Sequence, residues 1–244
     1  MQDQVEGINV YEQLRNDILD LRLRPGMIIS LKDICDGYKA GRTPVREAVI
    51  RLSKEGLAVF LPQRGTMVSK ISMEKAEEER FLRGCVEERV LERFLEKAGE
   101  EEFRQLRKSV ERQKILLQTG DSREFFREDG KFHSVFYHRA GLDYSYQILS
   151  AHGGDYHRIR LLTITDQGIS GNVIRQHQEI ILAAEERNLK QLISVFRVHI
   201  SCMTEQERGL REKYPGLFSD SQEEERRNGA VFQEDFLETC KSGI

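Results

Sequence analysis

Four side chains in the second half of the 244-residue chain have the types and spacing of metal ligands. Asp129 and His133 are four residues apart in a segment predicted to be helical, so they lie on one helix face. His177 and His199 each lie eleven residues from Asn188, where two helices are predicted to meet in a turn, so the two imidazoles reach the same level. A third helix that brings Asp129 and His133 to that level would complete a cage of one carboxylate and three imidazoles. Such a cage suits Zn²⁺ or Ni²⁺, and also Mn²⁺.

The same residues allow other interpretations. An Asp–His pair four residues apart on a charged helix is more often a solvated surface pair than a pair of metal ligands. A metal with open coordination positions can bind a chelating effector or activate water, so a sensing site and a catalytic site are alternatives. The sequence has no Gly-x-Ser-x-Gly elbow, no phosphate-binding glycine loop and no carboxylate with an evident base role beside the four ligands. These absences weigh against an enzyme.

The composition is typical of a helix-rich protein. Hydrophobic residues make up 39% of the chain and charged residues 32%, and only four prolines interrupt it. No window approaches the roughly 18 apolar residues of a membrane span, and the first residues lack a signal-peptide run, so we expect a cytoplasmic protein that does not bind membranes. The cysteines have no CxxC spacing and are predicted to be reduced. They are Cys35, Cys85, Cys202 and Cys240.

Charge is distributed unevenly along the chain. The formal net charge is −3, yet residues 1–72 contain 11 basic against 9 acidic side chains. Residues 39–70 are more basic still, with seven Lys and Arg side chains against only Glu47 and Glu55. A basic segment in an acidic protein indicates a polyanionic partner, although a solvated basic face would have the same composition.

The N-terminal region is predicted to contain three helices followed by a hairpin. The first helix begins at Val10 and ends at a Pro-Gly turn, and a second, shorter helix follows it. The third is predicted to begin with Thr43 as N-cap and Pro44 as first helical residue, and to run to Gly56. Two short strands then form a hairpin with Arg64 at its tip. This order predicts a helix-turn-helix with a wing, whose third helix presents basic residues to DNA.

The fragments that carry a family resemblance in this region are "RPG", "RTPVREAVIRLSKEGL" and "PQRGTMVS". Through them the region from Tyr11 to Val68 resembles the winged helix-turn-helix of the GntR family of bacterial transcription regulators. The chain departs from the family at "YKAG", where Lys39 replaces a turn glycine and Gly41 a hydroxyl residue. Arginines on the recognition helix suit guanine contacts or phosphate contacts equally. The residues that the resemblance implies for DNA contact are Lys32, Arg42, Thr43, Arg46, Arg64 and Gly65.

After Ser72 the sequence is predicted to be almost entirely helical. Glycine-containing breaks separate the helical segments, and no strand pattern occurs between them. Six helices of this length form a bundle. They are predicted at about 73–98, 100–118, 122–140, 144–163, 172–187 and 189–213.

The bundle also resembles a known family, through "RGCVEE", "FREDGKFHSVF", "RQHQEIILAA", "RVHISCM" and "KYPGLF". Residues from about 76 to 218 resemble the FCD effector domain of the FadR subfamily. The resemblance implies that Asp129, His133, His177 and His199 bind a metal in the bundle cavity, and that the metal helps to bind a small carboxylate. Candidates for the other end of that effector are Arg83, Arg158 and Arg160.

Together these patterns predict a mainly α protein with three parts. Residues 1–72 form a winged helix-turn-helix domain, residues 73–218 a helical domain for effector binding and dimerisation, and residues 219–244 a tail of unknown role. We expect a repressor that binds a short inverted repeat of double-stranded DNA as a homodimer and responds to a small carboxylate such as a sugar acid. The alternative is a metal-dependent enzyme that acts on a small carboxylate.

Overall fold

The structure is a computed structural model that describes residues 9–167, 170–201 and 207–220. It divides the chain into two compact units, with the main division between Ser72 and Met73. Among the described residues, the first unit contains 9–18, 23–72 and 216–220, and the second contains 19–22, 73–167, 170–201 and 207–215. Residues 216–218, which the sequence analysis placed in the helical domain, therefore group with the first unit.

The first unit is built from three helices and a small sheet. Its helices are α1 (Val10–Leu19), α2 (Leu31–Gly37) and α3 (Arg42–Lys54), and its strands are β1 (Ile28–Ile29), β2 (Ala58–Leu61) and β3 (Gly65–Val68). The sheet is antiparallel in the order β1-β3-β2, and the β2–β3 hairpin is the wing. The helices bury their apolar stripes in one core. This core includes Leu14, Ile18, Ile34, Val45, Val49 and Leu52.

The start of the recognition helix α3 differs from the prediction. The N-cap is Gly41, in an extended conformation, and the helix begins at Arg42. Thr43 is therefore the second helical residue and Pro44 the third, and the assignment of Thr43 as N-cap was wrong. Pro44 is tolerated there because the first N–H groups of a helix have no intrahelical partner in any case.

Residues 216–220 join the first unit through backbone hydrogen bonds. The Ile71 N–H donates to the carbonyl of Leu217 at 2.9 Å, and the Ser219 N–H donates to the carbonyl of Ile71 at 2.9 Å. Phe218 is buried. The rest of the predicted tail, residues 221–244, lies outside the described residues.

The second unit is helical throughout its described part. Its helices are α4 (Met73–Lys97), α5 (Glu100–Thr119), α6 (Ser122–Ala140), α7 (Asp143–His152), α8 (Gly154–Gln167), α9 (Ser170–Glu185), α10 (Leu189–Ser201) and α11 (Glu207–Lys213). The mainly α fold class is confirmed. Helix α4 packs against α6, α8 and α10, and α5 packs against α6 and α9. Phe94, Phe132 and Phe136 form edge-to-face pairs in the core between them.

Two of the predicted connections differ in detail. The helix predicted at 144–163 is two helices, because α7 ends at His152. Its C-cap is Gly153, the first of two consecutive glycines, whose N–H donates to the carbonyl of Leu149. The turn between α9 and α10 has a left-handed residue at Arg187 (φ 55°), one position before the predicted turn residue Asn188. Asn188 instead caps α10, since its side-chain oxygen accepts from the N–H of Gln191 at 3.0 Å.

Candidate metal centre and nucleic-acid interface

The four predicted metal ligands come together inside the second unit. Helix α6 contributes Asp129 and His133, α9 contributes His177 and α10 contributes His199. All four side chains are buried, and one ligand atom from each lies within 4.8 Å of those of the others. Each helix buries one apolar stripe, so residues at the same level on the inward faces meet in the core. His177 and His199 lie at the same level of the bundle, as predicted, because their ligand atoms are within 4.8 Å of each other.

The distances in this cluster fit a shared cation. Nε2 of His133 lies 3.1 Å from Nε2 of His199, and Nε2 of His177 lies 3.4 Å from Oδ1 of Asp129. Among the described residues, neither His177 Nε2 nor Asp129 Oδ1 has a hydrogen-bond partner. Buried polar atoms without a partner are rare in native proteins. A divalent ion bound by these atoms would satisfy them, so the residues fit a metal site.

The Nδ1 atom of each imidazole faces an oxygen atom of a different side chain. Nδ1 of His177 lies 2.8 Å from Oε1 of Gln113, and Nδ1 of His199 lies 3.1 Å from Oε1 of Gln176. Nδ1 of His133 lies 3.3 Å from the carboxylate of Glu87. Because an oxygen acceptor at Nδ1 favours the tautomer with its proton there, the Nε2 lone pairs are left for the cluster centre.

The electrostatics keep the ligands in the states that bind cations. Burial lowers the pKa of His177 to about 3 and that of His199 well below its usual 6.5, so both imidazoles are neutral at pH 7. Burial by itself would raise the pKa of Asp129, but the positive charge of Arg160 and the neighbouring imidazoles outweigh it and lower the pKa to about 2. Asp129 is therefore ionised.

The structure separates the three candidate effector arginines. Arg160 forms a buried ion pair with Asp129, and the Nε of Arg83 donates to Glu87 at 2.9 Å. Both guanidinium groups lie near the ring of Tyr156, at 5.9 Å for Arg83 and 5.5 Å for Arg160.

Arg158, in contrast, belongs to a different charge cluster. It is fully buried and forms an ion pair with Asp155, which also lies 3.7 Å from Nζ of Lys75. The structure therefore brings Arg83 and Arg160 to the metal-ligand cluster and pairs Arg158 with carboxylates elsewhere.

A small cavity of about 10 Å³ adjoins the cluster, with room for about one water molecule. Its walls are apolar except at Glu87, His133 and Tyr137. The hydroxyl of Tyr137 donates to Glu87 at 3.3 Å.

The three residues whose oxygen atoms face Nδ1 of the imidazoles were not among the predicted site residues. Gln176 directly precedes His177, and Glu87 lies four residues after Arg83 on the same helix face, so both had a weak local signal. Gln113 had none, because only the packing of α5 against α9 brings it to His177. His138, five residues after His133 on α6, is exposed and lies 3.1 Å from Asp143.

The predicted DNA-contacting residues lie on the first unit. Lys32 on α2 and Arg42, Thr43 and Arg46 on α3 are all exposed. Three of them occupy the first turns of α3, whose apolar side is buried at Val45. The structure therefore leaves the polar side of the recognition helix accessible to a ligand.

The wing contains the two remaining predicted contacts. Arg64 is exposed in the turn between β2 and β3. Gly65 has φ +117°, and a Cβ atom there would lie 2.6 Å from the carbonyl oxygen of Ile29. This glycine is thus required for the close approach of β3 to β1. Lys39, where the sequence departs from the GntR pattern, has a left-handed φ of 50°, the conformation that glycine adopts most easily.

Two of the four cysteines lie within the described residues, and the hydropathy of the described helices bears on membrane insertion. Cys35 and Cys85 are free thiols, and Cys202 and Cys240 lie outside the described residues. Across residues 9–167, 170–201 and 207–220, every helix is too short or too polar to cross a membrane.

Comparison with protein families decides the classification. The model for bacterial regulatory proteins of the gntR family matches residues 8–68, and the FCD domain model matches residues 80–201. The chain belongs to the gntR family. Both resemblances seen in the sequence are thereby confirmed. A gntR regulator with an FCD domain binds DNA and responds to a small molecule, so this chain is a ligand-responsive transcription regulator and not an enzyme.

Similar proteins include named repressors. The HTH-type transcriptional repressor RspR of Escherichia coli K12 is 28% identical over 211 residues, which cover 86% of this chain and 92% of RspR. The gluconate operon transcriptional repressor of Bacillus subtilis is 29% identical over 140 residues, which cover 57% of this chain and 56% of that repressor.

Solved structures of gntR regulators share the fold. A transcriptional regulator GntR from Rhodococcus sp. RHA1 has a TM-score of 0.68 at 22% identity, covering 82% of this chain and 96% of the other. McbR/YncC of E. coli has a TM-score of 0.67 at 18% identity, covering 84% of this chain and 96% of the other.

Proposed function

We propose that this gntR regulator is a repressor that senses a small carboxylate through a divalent metal held by Asp129, His133, His177 and His199. The observation that carries the proposal is the pair of buried atoms without hydrogen-bond partners, His177 Nε2 and Asp129 Oδ1, which face each other across 3.4 Å. One carboxylate and three imidazoles suit Zn²⁺ or Ni²⁺, with Mn²⁺ also compatible. A bound metal would supply a coordination position for an anionic group.

The charges around the cluster favour an anionic effector. Asp129 is paired with Arg160, and Glu87 with Arg83. These two pairs cancel, and His177 and His199 are neutral because burial lowers their pKa. A divalent cation would therefore bring two positive charges into a buried site. The two ion pairs, which are already neutral, would not compensate these charges. Buried charge is costly unless it is paired, so an anion that binds beside the metal is stabilised.

Two of the candidate arginines could bind the other end of such an effector. Arg83 and Arg160 both lie near the Tyr156 ring, at 5.9 and 5.5 Å from its centroid, and each pairs with a carboxylate that contacts or belongs to the metal-ligand cluster. Arg158 is a weaker candidate because its ion pair with Asp155 is fully buried. The similarity to the B. subtilis gluconate operon repressor supports a sugar acid as one member of the effector class.

The DNA-binding part of the proposal rests on the exposed basic residues of the first unit. Lys32, Arg42, Thr43 and Arg46 would contact the operator from the helix-turn-helix, and the wing with Arg64 and Gly65 would contact the adjacent minor groove. One winged helix covers a single half-site, so we propose a homodimer on a short inverted repeat. The named repressors among the similar proteins support repression.

The metal part is tested by elemental analysis of the purified protein. We expect about one divalent metal ion per chain in the parent protein. His177→Ala and His199→Ala should each lower the metal content, because each removes a ligand. His138→Ala is the matched control, since its imidazole is exposed on the same helix as His133. A parent protein that binds no metal even after reconstitution would contradict the site.

The sensing part is tested on operator DNA that the protein itself selects from random duplexes. Gluconate and a series of dicarboxylates are added to the metal-loaded protein, and operator affinity is measured by fluorescence anisotropy. The expected effect of an active carboxylate is a change of about 5- to 150-fold, the range of typical allosteric couplings. Chelation, or His199→Ala, should abolish the response and leave basal DNA binding intact. A full response in metal-free protein would make the metal purely structural.

A further inference from the structure

Glu87 on α4 lies between a metal ligand and a candidate effector-binding arginine. Its Oε2 is 3.3 Å from Nδ1 of His133, and its Oε1 accepts from Nε of Arg83 at 2.9 Å and from the hydroxyl of Tyr137 at 3.3 Å. The carboxylate is buried with 6% of its side chain exposed, so water does not screen these contacts. One negative charge is therefore shared by two groups with different functions.

This arrangement is specific to one of the three imidazoles. His177 and His199 face the neutral amide oxygens of Gln113 and Gln176, whereas His133 faces a charged carboxylate. A carboxylate at Nδ1 makes an imidazole a stronger donor to a metal than an amide does. The strength of His133 as a ligand therefore depends on how much of the Glu87 charge it receives.

Arg83 competes with His133 for that charge. The Arg83 guanidinium donates to Oε1 of Glu87 at 2.9 Å, and this buried ion pair favours the ionised carboxylate. A guanidinium that donates to one oxygen of a carboxylate withdraws electron density from the other oxygen. An anion that engages Arg83 would reduce this withdrawal.

We propose that Glu87 couples metal binding to anion binding: an effector anion that engages Arg83 releases the Glu87 charge to His133 and so tightens the metal site. This inference rests on the proposed metal site and adds a positioning residue and the direction of a coupling. By thermodynamic reciprocity, the bound metal raises the affinity for the anion by the same factor. Metal and effector therefore bind cooperatively through the contacts Arg83–Glu87–His133.

The proposal makes two substitutions on the same helix act in opposite directions. Glu87→Gln keeps an oxygen acceptor for His133 but removes the charge, so Zn²⁺ affinity falls. Arg83→Gln removes the competing guanidinium, so the charge of Glu87 acts on His133 and Zn²⁺ affinity rises. If Glu87 and Arg83 served only to pack α4, both substitutions would loosen the site and lower Zn²⁺ affinity.

The experiment measures Zn²⁺ affinity of the full chain by competition with a chromophoric chelator, with no effector present. Glu87→Gln is expected to weaken Zn²⁺ binding by about 10- to 100-fold, as typical for groups that orient metal ligands. Arg83→Gln is expected to strengthen it several-fold, and Arg83→Lys, which retains the charge, should resemble the parent. The matched control is Glu102→Gln, because the Glu102 carboxylate instead caps α5 by accepting from the Gly99 N–H at 2.8 Å. It should not change Zn²⁺ affinity.

A double variant guards against misfolding, since each single substitution leaves a buried charge without its partner. Arg83→Gln/Glu87→Gln removes both charges, and its Zn²⁺ affinity should lie between those of the two single variants. Weaker binding in both singles, or an unchanged affinity in Glu87→Gln, would overturn the coupling while leaving the metal site intact. A parent protein that binds no Zn²⁺ would overturn the proposed metal site and the coupling together.

Discussion

The proposed DNA contacts on α3 and the candidate metal-ligand cluster are built in opposite ways. Arg42, Thr43 and Arg46 lie within five consecutive positions of one helix and are exposed to solvent. The four candidate metal ligands come from three helices, are separated by up to 70 residues in sequence, and are buried. A surface assembled locally depends on one correct helix, whereas a buried cluster depends on the packing of the whole bundle.

This difference has energetic consequences. An exposed arginine interacts mainly with water in the free protein, so its removal should affect DNA binding and leave folding nearly unchanged. A buried residue such as Asp129 contributes both to the candidate site and to folding stability, because its removal leaves a neighbouring buried charge without an ion-pair partner. Four predictions test this contrast, beginning with the largest expected effect.

Asp129→Ala should destabilise the metal-free protein by about 3–5 kcal/mol, because it leaves the buried Arg160 without its ion-pair partner. The measurement is denaturant unfolding in the presence of a chelator. Asp143→Ala, which removes an exposed carboxylate that contacts His138, should change the free energy of unfolding by less than about 0.5 kcal/mol. Equal effects in the two variants would show that the cluster is not energetically distinct from the surface.

Arg46→Ala should weaken operator binding by roughly 1–3 kcal/mol if the side chain contacts a base, with no loss of folding stability. Operator affinity is measured over a range of salt concentrations, so that loss of a phosphate contact appears as a reduced salt slope. Arg104→Ala is the control, since this exposed arginine pairs with Glu101 on α5. Unchanged affinity and salt slope in Arg46→Ala would remove the residue from the interface.

Gly65→Ala should destabilise the first unit by about 2 kcal/mol, because φ is +117° and the new Cβ would clash with the Ile29 carbonyl. Gly120→Ala also has a left-handed φ, of +73°, but meets no atom within 4 Å, and should cost only about 1 kcal/mol. Thermal unfolding compares the two. Should Gly65→Ala fold normally and still lose operator affinity, Gly65 would be a direct DNA contact as well as a structural residue.

Acidification should destabilise the metal-free protein through its buried histidines. The pKa of His177 is about 3 when folded, against its usual 6.5, so between these values only the unfolded state takes up the proton. Stability is then unaffected above about pH 6.5 and falls by about 1.4 kcal/mol per pH unit below it. Burial lowers the pKa of His199 in the same direction.

The measurement is the free energy of unfolding of the parent and of His177→Gln at several pH values, in the presence of a chelator. Glu79 acts in the opposite sense, since burial raises its pKa to about 7, but it is common to both proteins and cancels in the difference. The parent should lose stability more steeply between pH 6.5 and 4.5. Parallel curves would mean that His177 is protonated in the folded cluster.

The sequence by itself predicted the fold class, the basic helix and the four candidate metal ligands that the structure brings together. Helical periodicity, and the equal distances of His177 and His199 from the predicted turn at Asn188, suffice for these predictions. Both features show which residues lie on the inward face of a helix. Helix ends and turns, in contrast, were not predicted correctly. The break of α7 and α8 at Gly153, the N-cap of α3 at Gly41 and the left-handed Arg187 each depend on choices among local conformations of similar energy.

Only the tertiary structure decided what surrounds the ligands. Gln113 reaches His177 because α5 packs against α9, although the two residues are 64 positions apart. The packing likewise turns Arg83 and Arg160 toward the cluster while Arg158, two residues before Arg160, pairs with Asp155. Which polar groups a buried side chain meets is fixed by contacts between distant segments, and the hydrophobic pattern of a single helix carries no information about them.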